Sequence, residues 1–188
     1  DENGILWIGT REGLNRYNGE SIKTYKLRKN DPNSLFCNTV LRIVGNHNGK
    51  IYLLCTEGVA EFDLTTQKFR TLIQGQINSI YYNNDLFIGQ KNEIYRYNEK
   101  TGNFDLYYQL AAGNLDIFCM HIDKGTFWMG TTVKGVYCLN IASRELTHPI
   151  REGNITSIYQ DSESELWIGS WEEGLYHVKK DGQIENFR

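Results

Sequence analysis

Short apolar runs, broken at regular intervals by polar turns, follow one another along the whole chain. Five of these runs share a core: Leu6-Trp7-Ile8-Gly9-Thr10, Ile51-Tyr52-Leu53-Leu54-Cys55-Thr56, Leu86-Phe87-Ile88-Gly89-Gln90, Phe127-Trp128-Met129-Gly130-Thr131 and Leu166-Trp167-Ile168-Gly169-Ser170. Consecutive apolar positions of this length, rich in branched and aromatic residues, predict strands buried on both faces. Each core has an aromatic anchor (Trp7, Tyr52, Phe87, Trp128, Trp167), and the anchors recur at the ~35–45-residue period of four-stranded repeat units. Three of the four tryptophans are anchors, and Trp171 is the exception.

The surroundings repeat as well. Before each core except the first lies an apolar stretch: Val40–Val44, Ile77–Tyr81, Ile117–Ile122 and Ile155–Tyr159. Turns rich in Asn, Asp and Gly, which tolerate the positive φ of tight reversals, join it to the core (Asn46–Gly49, Asn83–Asp85, Asp123–Gly125, Asp161–Ser164). A third strand follows the core at Gly13–Tyr17, Gly58–Phe62, Glu93–Tyr97, Gly135–Leu139 and Gly174–Val178. A fourth and more polar strand follows at Ile22–Tyr25, Lys68–Leu72, Phe104–Tyr108, Glu145–Thr147 and Gln183–Phe187. In order of sequence the strands are A, B, C and D. Doubly buried B strands, rim-like D strands and a near-constant repeat predict an all-β fold, a β-propeller of about five four-stranded blades. The blades are placed at about 1–36, 37–75, 76–113, 114–152 and 153–188. A β-sandwich is the alternative this pattern leaves open. Gly9, Gly89, Gly130 and Gly169 end the B cores where neighbouring backbones would approach closely; Leu54 takes that place in the second unit, which must pack differently there.

Composition narrows the function. With 13% aromatics and two prolines the chain is foldable rather than disordered. Its 20 Lys+Arg and 23 Asp+Glu are scattered, and a net charge of -3 without a basic block argues against nucleic-acid binding. No apolar stretch approaches the ~20 residues of a membrane span. Cys37, Cys55, Cys119 and Cys138 lie far apart, in no CxxC or Cys/His spacing, so no metal site and no cofactor is expected; buried free thiols are the simplest reading. His47, His121, His148 and His177 occupy non-equivalent places in their units and read as packing or surface residues.

Two sequence motifs carry a family resemblance. The unit from Asp161 through Leu166-Trp167-Ile168-Gly169-Ser170 to Gly174-Leu175-Tyr176 resembles the two-component regulator propeller repeat, D-x-x-G-x-L-W-I-G-T-x-x-G-L-x-x-Y. The first unit matches it at Gly4, Leu6, Trp7, Ile8, Gly9, Thr10, Gly13, Leu14 and Tyr17. The link from Asn30-Asp31-Pro32 through Ser34-Leu35 to Asn38 and Val40 also resembles that family's entry to a blade. Units two and three depart from it, at Tyr52-Leu53-Leu54 and at the short Asn83–Asp85 turn. The resemblance implies the periplasmic sensor part of a hybrid two-component system of gut Bacteroidetes. Such a part recognises breakdown products of complex polysaccharides and is read by a histidine kinase outside this chain. It implies as partners an oligosaccharide, the remaining blades and kinase modules of a longer parent, and a second copy in a dimer. The first unit begins in its A–B turn and the fifth uses the chain to its end, so an excerpt of a larger propeller is expected, with a three-stranded first blade and apolar outer faces on blades one and five; the resemblance implies seven blades in the parent.

Two other functions compete: a scaffold propeller that binds proteins, and a propeller hydrolase or lyase. A hydrolase needs two carboxylates at a defined separation, and near the channel entrance the A strands offer Asp116 and little else acidic. No catalytic residue is therefore assigned, and the chain is read as a non-enzyme. Ligands of propellers meet the face that carries the B–C and D–A connections. There the candidates are Trp171, whose indole can stack on a sugar, Glu172 beside it to fix hydroxyls, and Arg11, Lys91 and Lys134 as partners for uronic-acid or sulfate groups.

Overall fold

The computed structural model describes residues 4–47, 49–111, 113 and 115–188, with the side chains of residues 46 and 47 excepted. Among them every regular element is a strand, nineteen in all, arranged in five antiparallel sheets whose strands pair in chain order. The first sheet has three strands, β1 (Leu6–Thr10), β2 (Gly13–Tyr17) and β3 (Ile22–Tyr25). The second comprises β4 (Val40–His47), β5 (Lys50–Cys55), β6 (Gly58–Asp63) and β7 (Lys68–Gln74). The third comprises β8 (Ser79–Asn83), β9 (Asp85–Gln90), β10 (Glu93–Asn98) and β11 (Asn103–Gln109). The fourth comprises β12 (Ile117–Asp123), β13 (Thr126–Thr131), β14 (Val136–Asn140) and β15 (Leu146–Ile150). The fifth comprises β16 (Ile155–Gln160), β17 (Leu166–Ser170), β18 (Leu175–Val178) and β19 (Ile184–Phe187). These are β-propeller blades. The third A strand begins two residues later than its apolar run, because pairing starts at Ser79 and runs into a turn whose single residue, Asn84, takes φ 59°.

The chain divides into two compact units, residues 1–86 with 97–104, and residues 87–96 with 105–188. In the first unit, β4 packs beside both β1 and β8. Trp7 lies against Phe62 with ring centroids 5.5 Å apart, over a core that includes Leu14, Leu35, Val40, Ile51 and Leu53. Tyr52 likewise stacks on Tyr82 at 5.4 Å. In the second unit, β12 packs beside β16. Phe87 meets Phe127 edge-on at 5.2 Å, and Trp128 packs into the cluster built from Leu166, Ile168, Tyr176 and Val178. One relationship therefore recurs: the anchor of one sheet covers the apolar flank of the next. Each anchor stands three residues before the end of its B strand, and none is exposed.

Two glycine positions follow from this packing. A Cβ on Gly9 would come within 2.8 Å of Val40, and one on Gly130 within 2.6 Å of Ile155, so the next A strand presses on the B strand where only glycine fits. Where strand C begins, Gly13, Gly58, Gly135 and Gly174 all take positive φ, and a Cβ on any of them would sit 2.1–2.2 Å from a D-strand carbonyl oxygen. The third sheet has Glu93 there instead, and its left-handed residue is Lys91, φ 52°. Pro149 is accommodated on β15, an outer edge strand with no neighbour to need its missing N–H. Leu6, Ile22, Tyr159 and Phe187, on the first and fifth sheets, are exposed by 51–65%.

Candidate functional site

The turn after each B strand begins with one residue, Arg11, Thr56, Lys91, Thr132 or Trp171, at the same place in the repeat. Three of the five candidates named from sequence thus share an equivalent position, and the other two follow closely, Glu172 one residue after it and Lys134 two. A backbone ladder holds that position. Thr56 N–H donates to the Thr39 carbonyl at 3.2 Å, Thr132 N–H to Asp116 at 3.1 Å and Trp171 N–H to Asn154 at 2.9 Å. At the third sheet's turn a bond crosses instead to the next sheet: the Lys91 carbonyl accepts from Ile117 N–H at 2.8 Å. These bonds tie the B–C turn to the residue before or at the start of an A strand. In each of these sheets the B–C turn and the entry to strand A therefore lie at the same end.

Within the second unit this end is cut by a cleft of about 450 Å³, lined by Lys91, Asn92, Leu115, Asp116 and Thr132. It brings a cation and a carboxylate named separately from sequence into one depression. Asp116 is half-buried and fixed by its own N–H donating to Thr132 Oγ1 at 3.2 Å. Asn92 Nδ2 donates to the Leu110 carbonyl at 2.7 Å, which pins the cleft's far wall. Lys91 is exposed. The cleft holds one acid and one base with a neutral amide and a hydroxyl, a set suited to binding a polyhydroxylated or anionic molecule.

The remaining candidates also lie in B–C turns. Trp171 is 77% exposed, so its indole covers little of its own protein. Glu172 is exposed beside it, while Glu173 is half-buried and forms an ion pair with Arg188. Lys134 is exposed; its N–H donates to Thr131 Oγ1 at 3.0 Å, and its carbonyl is 2.6 Å from His148 Nε2. Arg11 is exposed on the first sheet, in the other unit.

One cluster escaped the sequence reading. Asp161, Glu165 and His177 bring one ligand atom each within 4.8 Å of one another, a group that could hold a metal ion. Its members come from a turn, the start of the B segment and strand C, and only the register pairing Trp167 with His177 unites them. The cluster is already bonded internally. His177 Nε2 is 2.6 Å from Glu165 Oε2, and its ring stacks on Trp167 at 4.0 Å. Asp161 Oδ1 accepts from the N–H groups of Glu163 and Glu165, and Oδ2 from Trp167 Nε1. Backbone donors, then the Trp167 indole, hold the Asp161 carboxyl below its ordinary range.

The cysteines are all buried, and none is in a disulfide. Desolvation pushes the Cys55 and Cys138 thiols up to about 12. Burial lowers the His121 imidazole, and His148 stacks on Tyr137 at 3.8 Å. His47 lies outside the residues whose side chains are described.

Comparison with known proteins places these features in context. Residues 149–172, which include the β16–β17 hairpin and reach Trp171 and Glu172, match the two-component regulator propeller family. The extracellular domain of the hybrid two component system BT3049 from B. thetaiotaomicron is 25% identical over 99% of this chain and 27% of its own, with a TM-score of 0.82. The extracellular domain of the one component system BT4673 from B. thetaiotaomicron is 22% identical over 93% of this chain and 26% of its own, at 0.77. PorZ, a surface component of the type-IX secretion system of Porphyromonas gingivalis, shares the fold at 13% identity, covering 97% of this chain and 32% of its own, at 0.72. The chain thus spans about a quarter to a third of the length of these structures. No curated protein matches it.

Proposed function

We propose that this chain is part of the extracytoplasmic input propeller of a hybrid two-component sensor, that it recognises carbohydrate breakdown products at its B–C rim, and that a histidine kinase outside this chain reads the binding. The observation that carries the reading is the similarity over 99% of the chain to an extracellular domain of a hybrid two component system. No helix among the described residues is long and apolar enough to cross a membrane, in keeping with a periplasmic module whose anchor is supplied elsewhere in its parent.

The rim supports recognition rather than turnover. Asp116 is the one acidic group lining the 450 Å³ cleft, whereas glycoside hydrolysis uses a carboxylate pair. An exposed indole, two hydroxyl-bearing turns and dispersed cations are the means by which a protein holds a sugar's apolar face, its hydroxyls and its acidic substituents. The experiment is a thermal-shift screen of the chain against neutral, uronic-acid and sulfated oligosaccharides, with product analysis of the same mixtures. Saturable stabilisation without bond cleavage is expected, and Trp171→Ala should weaken it. Cleavage of any oligosaccharide, or stabilisation by none of them, overturns the proposal.

A further inference from the structure

Cys37 and Cys55 meet inside the core of the second sheet. Cys55 closes β5, where it pairs with Val40 of β4, and the next residue, Thr56, donates its N–H to the Thr39 carbonyl at 3.2 Å. Cys37 stands just before Thr39, in the link that leads from the first sheet to the second. That link is held in place: Asn38 Oδ1 accepts the Leu27 N–H at 2.8 Å, and the Asn33 carbonyl accepts the Phe69 N–H at 2.9 Å. Its course brings Cys37 Sγ to 3.3 Å from Thr56 Oγ1, and Cys55 has the Cys37 thiol as its side-chain hydrogen-bond partner. Both thiols belong to one buried cluster with Leu35, Val40 and Leu53.

The other cysteines provide a contrast within the same chain. Cys119 on β12 and Cys138 on β14 belong to the fourth sheet and have β13 between them. Two strand spacings amount to about 9.5 Å, beyond the ~7 Å between Cα atoms that a disulfide can span. Burial alone raises the Cys138 thiol, whereas the Cys55 thiol is raised by burial first and then by Cys37 beside it.

We propose that Cys37 and Cys55 are a disulfide site, at which a disulfide donor oxidises the two thiols and staples the link between the first and second sheets to the end of β5. Two exchanges balance the step. The Cys37 thiolate attacks one sulfur of the donor R–S–S–R, and R–S⁻ leaves. The Cys55 thiolate then attacks the Cys37 sulfur of the mixed disulfide and expels the second R–S⁻. The thiols give up two protons and two electrons, and the donor becomes two R–SH. Both thiols are buried in the folded chain, so the exchange takes place during folding, before the core closes over them. Such donors belong to oxidising compartments outside the cytoplasm, the setting proposed above. The pairing itself rests on geometry and not on that reading.

The test refolds the whole chain from its reduced, denatured state, once with oxidised and reduced glutathione and once with reduced glutathione alone. Remaining thiols are blocked with N-ethylmaleimide in denaturant, and the bonds are mapped by peptide mass spectrometry. The oxidising mixture should give a Cys37–Cys55 cross-link and leave Cys119 and Cys138 as thiols. The cross-linked chain should melt about 5 °C or more above the reduced one, as closure of a loop of this length implies, and reduction should abolish the difference. Cys37→Ser with Cys55→Ser should melt alike under both conditions. Four free thiols after oxidising refolding, a glutathione adduct in place of the internal bond, or a bond to Cys119 or Cys138 overturns the inference. So does a cross-linked chain that melts no higher than the reduced one.

Discussion

Asp161 Oδ2 accepts the indole N–H of Trp167 at 2.8 Å while Asp161 Oδ1 accepts two backbone N–H groups of its own turn. One carboxylate thus closes the A–B reversal and orients the anchor that faces His177. Because its pKa is lowered on folding, Asp161 contributes stability that is present above its unfolded value of about 3.9 and is lost as pH falls through the lower folded value. Asp161→Ala should lower the melting temperature at pH 7. The difference from the parent should shrink steadily below about pH 4. Melts from pH 2.5 to 7 check this, and a difference independent of pH contradicts it.

Gly135 should tolerate no side chain. It combines φ 63° with a virtual Cβ 2.1 Å from the Ile150 carbonyl oxygen. Gly182 has φ 86° but nothing within 4 Å. Gly135→Ala should therefore destabilise by more than about 2 kcal/mol, and Gly182→Ala by about 1 kcal/mol, the left-handed penalty alone. Urea denaturation of the two variants separates steric from conformational cost.

Lys91 pays that left-handed penalty in the native chain, with φ 52° on a residue that has a Cβ. Lys91→Gly should unfold at slightly higher urea, by up to about 1 kcal/mol, while removing a charge from the rim cleft. A sulfated or uronic-acid ligand should then bind less tightly and a neutral one equally well. Loss of stability in this variant means that the lysine side chain is needed for the turn.

All four thiols should be silent in the native state. Cys55 and Cys138 are buried with thiols raised to about 12, and Cys37 Sγ lies 3.3 Å from Thr56 Oγ1. An aromatic disulfide reagent at pH 8 should react with fewer than one thiol per chain until denaturant is added, and then with four. Rapid reaction of the folded protein contradicts the packing described.

Much of this architecture was legible because the repeat carries the same signal several times. Buried B strands read as unbroken apolar runs, and Gly13, Gly58, Gly135 and Gly174 mark one sterically forced step. The rim candidates were legible for the same reason: Arg11, Lys91 and Trp171 sit one residue beyond a recognisable core. Pairings set by register were not. Nothing in one-dimensional spacing tells that His177 lies opposite Trp167, or that the Trp167 indole N–H meets Asp161 while the buried Trp128 Nε1 has no partner. The cleft joining Lys91 to Asp116 was also hidden, since 24 residues separate them and a backbone bond from Ile117 to Lys91 brings the segments together.

The rim position has a consequence for how recognition can change. Where the residue is Arg11 or Trp171 the side chain is exposed to solvent, whereas the hydroxyls of Thr56 and Thr132 are engaged by Cys37 and by the Asp116 N–H. Arginine, threonine, lysine and tryptophan all occupy it within one chain. Selectivity can therefore be rewritten by single codons at the exposed positions, with each trial residue displayed on an unaltered scaffold. A library randomised at Arg11 and Trp171 alone should yield mostly folded proteins of differing taste.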